Sequence, residues 1–326
     1  MRKIIALTIC SLFLVGSNNA ELVIAKDNKE WDVGDYVKYE IMGDGFATRF
    51  GQSMGGEDYL RIENFNAAAE ERVIGRETIE FNNQTYDCNI LKESLSFSFT
   101  VVFKEGTGVS DNEKMKFEME YEYNEWQENI FNTLKSEYSF TYSATWLEYG
   151  ETRTYERINE EDDSYTNHQG SWPESFEVGS SWTHSKNIET ISTSRERFDD
   201  EEWEVTVDEY DMTETADYVV TDEAIVTTSA GTFDTLVVEK RKQEEGVGNY
   251  TLEYINSDFL SVKRVAYTDG EILVTMQIKE YNIKSIGSSP SNDDSDSDSD
   301  MGLPNLSFLL SIASIGSIAI FNRNRL

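Results

Sequence analysis

Cysteine, histidine, proline and positive charge are all scarce in this chain, and each scarcity excludes something. Of its 326 residues, two are cysteine, Cys10 and Cys88, two are histidine, His168 and His184, and three are proline. No disulfide framework can be built from so few thiols, so stability has to come from sheet packing. The histidines sit in polar stretches without a partner at a metal-ligand spacing such as His-x-x-x-His, and solvated side chains are expected. With prolines so rare, the turns fall to glycine, asparagine and aspartate. Lysine and arginine number 28 against 62 aspartates and glutamates, a net charge of −34. Such a surface repels phosphate backbones and anionic lipid headgroups, which argues against any nucleic-acid partner. It is compatible with concentrated salt, where counter-ions screen the self-repulsion.

Long apolar runs are confined to the two ends. Arg2 and Lys3 precede the run Ile4 to Val15, and Gly16 to Ala20 offer a cleavage site, so residues 1–20 read as a signal peptide. Its removal would leave Cys88 as the remaining thiol. Residues 303–321 carry no charge and are followed by a basic tail, 322–326, with Arg323 and Arg325. That length spans a bilayer, and the arginines place the tail inside and the bulk of the chain outside. Residues 287–302 alternate serine and aspartate and read as an extended stalk. The expected location is therefore the cell membrane, single-pass, with an extracellular body.

The body is dominated by a period of two. Met115, Phe117, Met119, Tyr121 and Tyr123 alternate with Lys116, Glu118, Glu120 and Glu122. Phe97, Phe99, Val101 and Phe103 alternate in the same way, as do Tyr138, Phe140 and Tyr142, and Trp203, Val205 and Val207. Half-buried antiparallel strands are the consequence. Helical spacing is limited to Trp126, Ile130 and Leu134 and to Asn66–Arg72, each expected as a short helical turn.

A repeat divides the body. Trp31-Asp32-Val33-Gly34-Asp35 recurs as Phe176-Glu177-Val178-Gly179-Ser180, Glu77-Thr78-Ile79 as Glu223-Ala224-Ile225, and Thr85-Tyr86-Asp87 as Thr232-Phe233-Asp234, in one order and at nearly one offset. We expect an all-β, mainly antiparallel protein of two related halves, 26–165 and 171–286, each a curved sheet or partly open barrel. The turn Gly231-Thr232-Phe233-Asp234 has a structural rationale: glycine takes positive φ, Thr232 and Asp234 bond the exposed amides, and Phe233 packs on the sheet.

The run from Glu223 through Ala230-Gly231-Thr232-Phe233-Asp234 to Glu239 resembles the Thr-Pro-Ala-Gly-Thr-Phe motif of secreted all-β envelope domains of unknown function, with Ser229 where that family has proline. The resemblance implies a curved sheet or partly open barrel, similar in some relatives to lipoprotein carriers. The tail Gly302-Leu303-Pro304-Asn305, its apolar helix and Arg323-Asn324-Arg325 resemble the C-terminal anchoring signals of archaeal surface proteins. Processed tails carry Pro-Gly-Phe where this chain has Pro304-Asn305-Leu306, so a permanent anchor is the simpler reading.

Motifs for chemistry are missing. There is no Gly-rich phosphate loop before a helix and no serine elbow, and Cys88 lies in a strand without an adjacent base. The acidic runs Glu160 to Asp163, Asp199 to Glu202 and Asp293 to Asp300 lack the glycine and terminal glutamate of a calcium loop and read as solvated loops. Asn83 and Asn249 head glycosylation sequons. No catalytic residue, cofactor or metal is expected. The chain reads as a membrane-anchored cell-surface binding or structural module, with Phe99, Phe103, Phe117, Tyr121, Tyr123, Phe140 and Tyr142 as candidate ligand-lining residues. Its partners would be the membrane, through the C-terminal helix, and a surface-layer or extracellular molecule. An envelope carrier of lipid or another apolar ligand is the alternative, and a secreted hydrolase is a third reading without a motif behind it.

Overall fold

A computed structural model describes residues 22, 24–25, 31–42, 60–103, 114–129, 132–148, 151–284 and 287–288. The expected signal peptide, most of the stalk, the membrane helix and the basic tail lie outside the described residues. The described chain is all-β, with no helix.

After the two-residue β1 (Ile24–Ala25) come β2 (Tyr36–Met42), β3 (Leu60–Phe81), β4 (Gln84–Phe103), β5 (Lys114–Asn129), β6 (Asn132–Glu148) and β7 (Glu151–Gln169). The short β8 (Ser175–Phe176) leads to β9 (Ser181–Phe198), β10 (Glu204–Thr228), β11 (Gly231–Lys242), β12 (Tyr250–Asn256), β13 (Ser261–Thr268), β14 (Glu271–Ile283) and β15 (Gly287–Ser288). Each long strand pairs antiparallel with the next, and β14 returns to pair with β2 while also pairing with β13. The result is a closed barrel of twelve strands wound up and down in chain order. Closure removes the edges that two separate curved sheets would leave, so the expectation of one sheet or open barrel per half is corrected to a single shared barrel. The remaining strands add two small ladders, β1 with β8 and β15 with the end of β14.

The period of two decides which side chains enter. Leu91, Leu95, Phe97, Phe99 and Val101 of β4 are buried, as are Phe117, Met119, Tyr121 and Tyr123 of β5, while Lys116, Glu118, Glu120 and Glu122 face water. A lipid-embedded barrel would need an apolar outer band there.

The repeated turn appears twice with one hydrogen-bond pattern. Gly34 (φ +98) donates its N–H to the Val73 carbonyl, Asp35 closes the turn onto Asp32, and Val73 donates back to Asp35. Gly179 (φ +94) donates to Val220, Ser180 closes onto Glu177, and Val220 donates back to Ser180. Trp31 and Phe176 are the buried aromatics that open the two turns. Six strands, β2 to β7, follow the first turn, and six, β9 to β14, follow the second.

Both expected helical turns are strands. Asn66–Arg72 lies within β3, and in the β5–β6 hairpin Trp126 pairs with Lys135 while Leu134 sits at the adjacent register shift, Trp126 and Leu134 packing with Cys88; Ile130 lies outside the described residues. Their spacing of four reflects a hairpin whose register shifts near its turn rather than a helical face.

Candidate functional site

The interior of the barrel has an aromatic layer and an ionic one. In the aromatic layer Phe99 and Phe117, 1% and 2% exposed, stack with centroids 5.0 Å apart. Tyr142 tilts onto Phe117 at 5.8 Å, and Tyr121 meets Tyr138 at 5.4 Å and Tyr123 at 6.3 Å. Phe140 is buried opposite Tyr121 in the ladder. The structure therefore collects six of the seven expected lining residues on one inner surface; the side chain of Phe103 lies outside the described ones. Tyr142 is half-buried, and the other five are core, touching one another and the aliphatic residues of β2, β13 and β14.

The expected turn residues are architectural. Gly231 has φ +142, and Phe233 is half-buried with its ring edge against Tyr281. The hydroxyl that accepts the Ala230 amide belongs to Thr228, while Thr232 pairs with Thr227, which corrects the expectation that Thr232 and Asp234 bond the turn. Of the two sequon residues, Asn83 is exposed in the β3–β4 turn with φ +61. Asn249 is half-buried, its Oδ1 accepting the Asp269 amide.

Sequence reasoning missed the ionic layer. Glu71, Glu93, Glu125, Lys186, Glu214, Lys240, Glu253 and Arg264 are all buried; Glu71 pairs in register with Glu93, Lys186 with Glu214, and Glu253 with Arg264. Each sits on the apolar parity of its strand: Glu93 between Leu91 and Leu95, Arg264 between Val262 and Ala266. Charge on the inward parity was the available signal, masked by the abundance of carboxylates elsewhere.

The layer has two centres. In the first, Arg264 reaches Glu71 at 2.7 Å and Glu253 at 3.2 Å, its guanidinium 5.3 Å from the Tyr39 ring centroid. Tyr39 donates its hydroxyl proton to Glu71 at 2.9 Å. Burial alone would disfavour the arginine cation, but Glu71, Tyr39, Glu253 and Glu93 hold it charged. Glu93, paired in register with Glu71 and 3% exposed, has no hydrogen-bond partner for either oxygen. Burial and then the Glu71 charge push its carboxyl well above the usual range, while burial also raises Glu71 against the opposing pull of Arg264 and the Tyr39 hydroxyl.

In the second centre Glu214 lies between Lys186, at 3.9 Å, and Lys242, in direct contact. Burial opposes its ionisation, but Lys186, Lys242 and Lys240 together hold it below the ordinary glutamate value. Lys186 also lies 3.8 Å from the Tyr165 ring centroid. His168 and His184, expected to be solvated, are half-buried with ring centroids 5.5 Å apart beside Trp172. Burial, His168 and then Lys186 push His184 down to about 4. The expected loop Glu160–Asp163 lies inside β7, where Asp163 accepts hydrogen bonds from Thr190, Ser136 and Tyr165.

Chemically, this interior holds protons and charges in fixed places. Cys88 is buried, and burial followed by Glu128, Asp87 and Glu77 raises its thiol to about 11, which leaves no thiolate at neutral pH. Among the described residues, no group of three or more His, Cys, Asp or Glu is arranged to hold a metal ion. No family model, curated protein or solved structure matches the chain.

Proposed function

We propose that this chain is a membrane-anchored cell-surface module whose barrel serves as a rigid binding or structural body without catalytic activity. The observation behind this is the packing of Phe99, Phe117, Tyr121, Tyr123 and Phe140. These are the residues that would line an apolar-ligand site, and they are spent on one another. Recognition then falls to the outer surface, which is charged and extended. The apolar run at 303–321 followed by arginines supports the anchor.

Carriage of a lipid or other apolar ligand is the second reading. Twelve strands enclose more width than the eight that side chains fill unaided, and Tyr138, Tyr142 and Trp146 stay half-buried at the aromatic end.

Labelling of intact cells with a membrane-impermeant amine reagent tests the location. Modification of the exposed Lys116 while the chain stays in the membrane fraction after a salt wash is expected. Release by salt, or labelling only after lysis, contradicts the reading.

A further inference from the structure

The first 11 residues of β10, from Glu204 to Glu214, form an open sheet edge. β9 lies along one side, pairing from Glu204 with Glu196 to Glu214 with Lys186. On the other side β11 pairs only from Ala216 onward, and the last backbone bond toward it runs from Gln243 to the Thr215 carbonyl. Among the described residues, no strand lies beside 204–214 there. Every residue from Glu204 to Thr213 is exposed, including Val205 at 57% and Val207 at 59%. At about 3.4 Å per residue the edge offers a row of unpaired donors and acceptors roughly 35 Å long.

Open edges are usually guarded, and this fold shows a guarded one for comparison. Among the described residues, β3 runs beyond its pairing with β2 over Leu60–Ala67. There it is broken by a register shift between Glu63 and Asn66, with Asn64 at φ +57, and its Arg61, together with Lys114 of β5, clasps Glu63. Bulge and cations are the standard protections. The β10 edge has no bulge over 204–214, no proline and no lysine or arginine. Its exposed charged residues are Glu204, Asp208, Glu209 and Asp211, and Asp199 to Glu202 lie just before it. A second copy laid against it would set carboxylates against carboxylates, so its charge protects it from itself and from nothing basic.

We propose that this edge is a docking site for an extended, basic segment of another protein, added as a strand. Main-chain hydrogen bonds would supply affinity. Val205 and Val207 on one face and Tyr210 and Met212 on the other would take alternate apolar side chains, and the carboxylates would select lysine and arginine. This deepens the binding-module reading and rests on it for where the partner is met.

The test uses the purified full-length chain in detergent and a fluorescent ten-residue peptide of alternating lysine and valine. A peptide of the same charge with proline at two central valines is the control. Anisotropy should show the alternating peptide binding at least roughly tenfold more tightly than the control, and more tightly as salt is lowered. Combined Asp208→Asn, Glu209→Gln and Asp211→Asn should weaken it by a similar factor. Because N–H groups point alternately to the two sides of a strand, one of Thr206→Pro and Val207→Pro removes an open-edge donor and the other a bond to β9. The first should abolish peptide binding in a chain that still unfolds cooperatively. Equal binding of the two peptides, no binding by either, or indifference to the carboxamide substitutions overturns the proposal. The assay is done in solution, so its failure is separate from failure of the surface assignment, which labelling of intact cells decides.

Discussion

Arg264 on β13 and Glu71 on β3 meet at 2.7 Å inside the barrel, with β14 and β2 running between them. The arginine is fully buried and also holds Glu253, so this contact ties the end of the strand order back to its beginning. An ion pair of this kind is not chiefly a source of net stability, but its loss on one side is severe, because the partner charges stay buried. Arg264→Met is expected to destabilise the fold by about 3–5 kcal/mol in chemical denaturation. Adding Glu71→Gln should recover part of that loss. A double variant as unstable as the sum of the singles would show that the two residues do not act on each other.

Glu93 contributes a loss of stability with rising pH. Its carboxyl is raised in the folded state by burial and by Glu71, so the native chain binds a proton that the unfolded chain has released. Its contribution is complete below the ordinary glutamate range, about pH 4, and is lost as pH rises through the folded value. Glu93→Gln should therefore flatten the decline of stability with rising pH, measured as denaturation midpoints across a pH series. An unchanged slope would mean that Glu93 is ionised in the native state.

His184 acts in the opposite sense. Its folded value is about 4, below the ordinary histidine range, through burial, His168 and Lys186. Unfolding then takes up a proton between about pH 6.5 and pH 4, so stability falls as pH is lowered through that window. His184→Asn should remove this part of the acid slope.

The two glycine turns provide a matched pair. A methyl group at Gly34 or Gly179 meets nothing within 4 Å, so the effect of alanine is confined to the positive φ, +98 and +94. Gly34→Ala and Gly179→Ala should each destabilise by about 1–2 kcal/mol, and by nearly the same amount. A large inequality would show that the shared hydrogen-bond pattern does not reflect shared roles.

The sequence made the strands legible because β4, β5 and β6 alternate cleanly, and Gly34 and Gly179 marked the two turns. Barrel closure was not legible, since the β2–β14 ladder joins residues such as Tyr36 and Asn282 from opposite ends of the body. Parity put the aromatic residues of β4, β5 and β6 on one face, but it does not distinguish a lining from a filling. The ionic layer escaped notice because Glu71, Glu93 and Glu253 look like any other carboxylate in so acidic a chain. The hairpin positions Trp126 and Leu134 mimicked a helix because a register shift changes which residues share a face.

Native mass spectrometry of the full-length chain addresses the central claim most directly. A barrel whose aromatic interior is filled by Phe99, Phe117, Tyr121 and Phe140 should fly at its covalent mass, and Phe117→Ala should cost about 3–5 kcal/mol of stability as a core truncation. A stoichiometric apolar ligand that survives detergent exchange and is lost in Phe117→Ala would contradict the account and establish carriage instead.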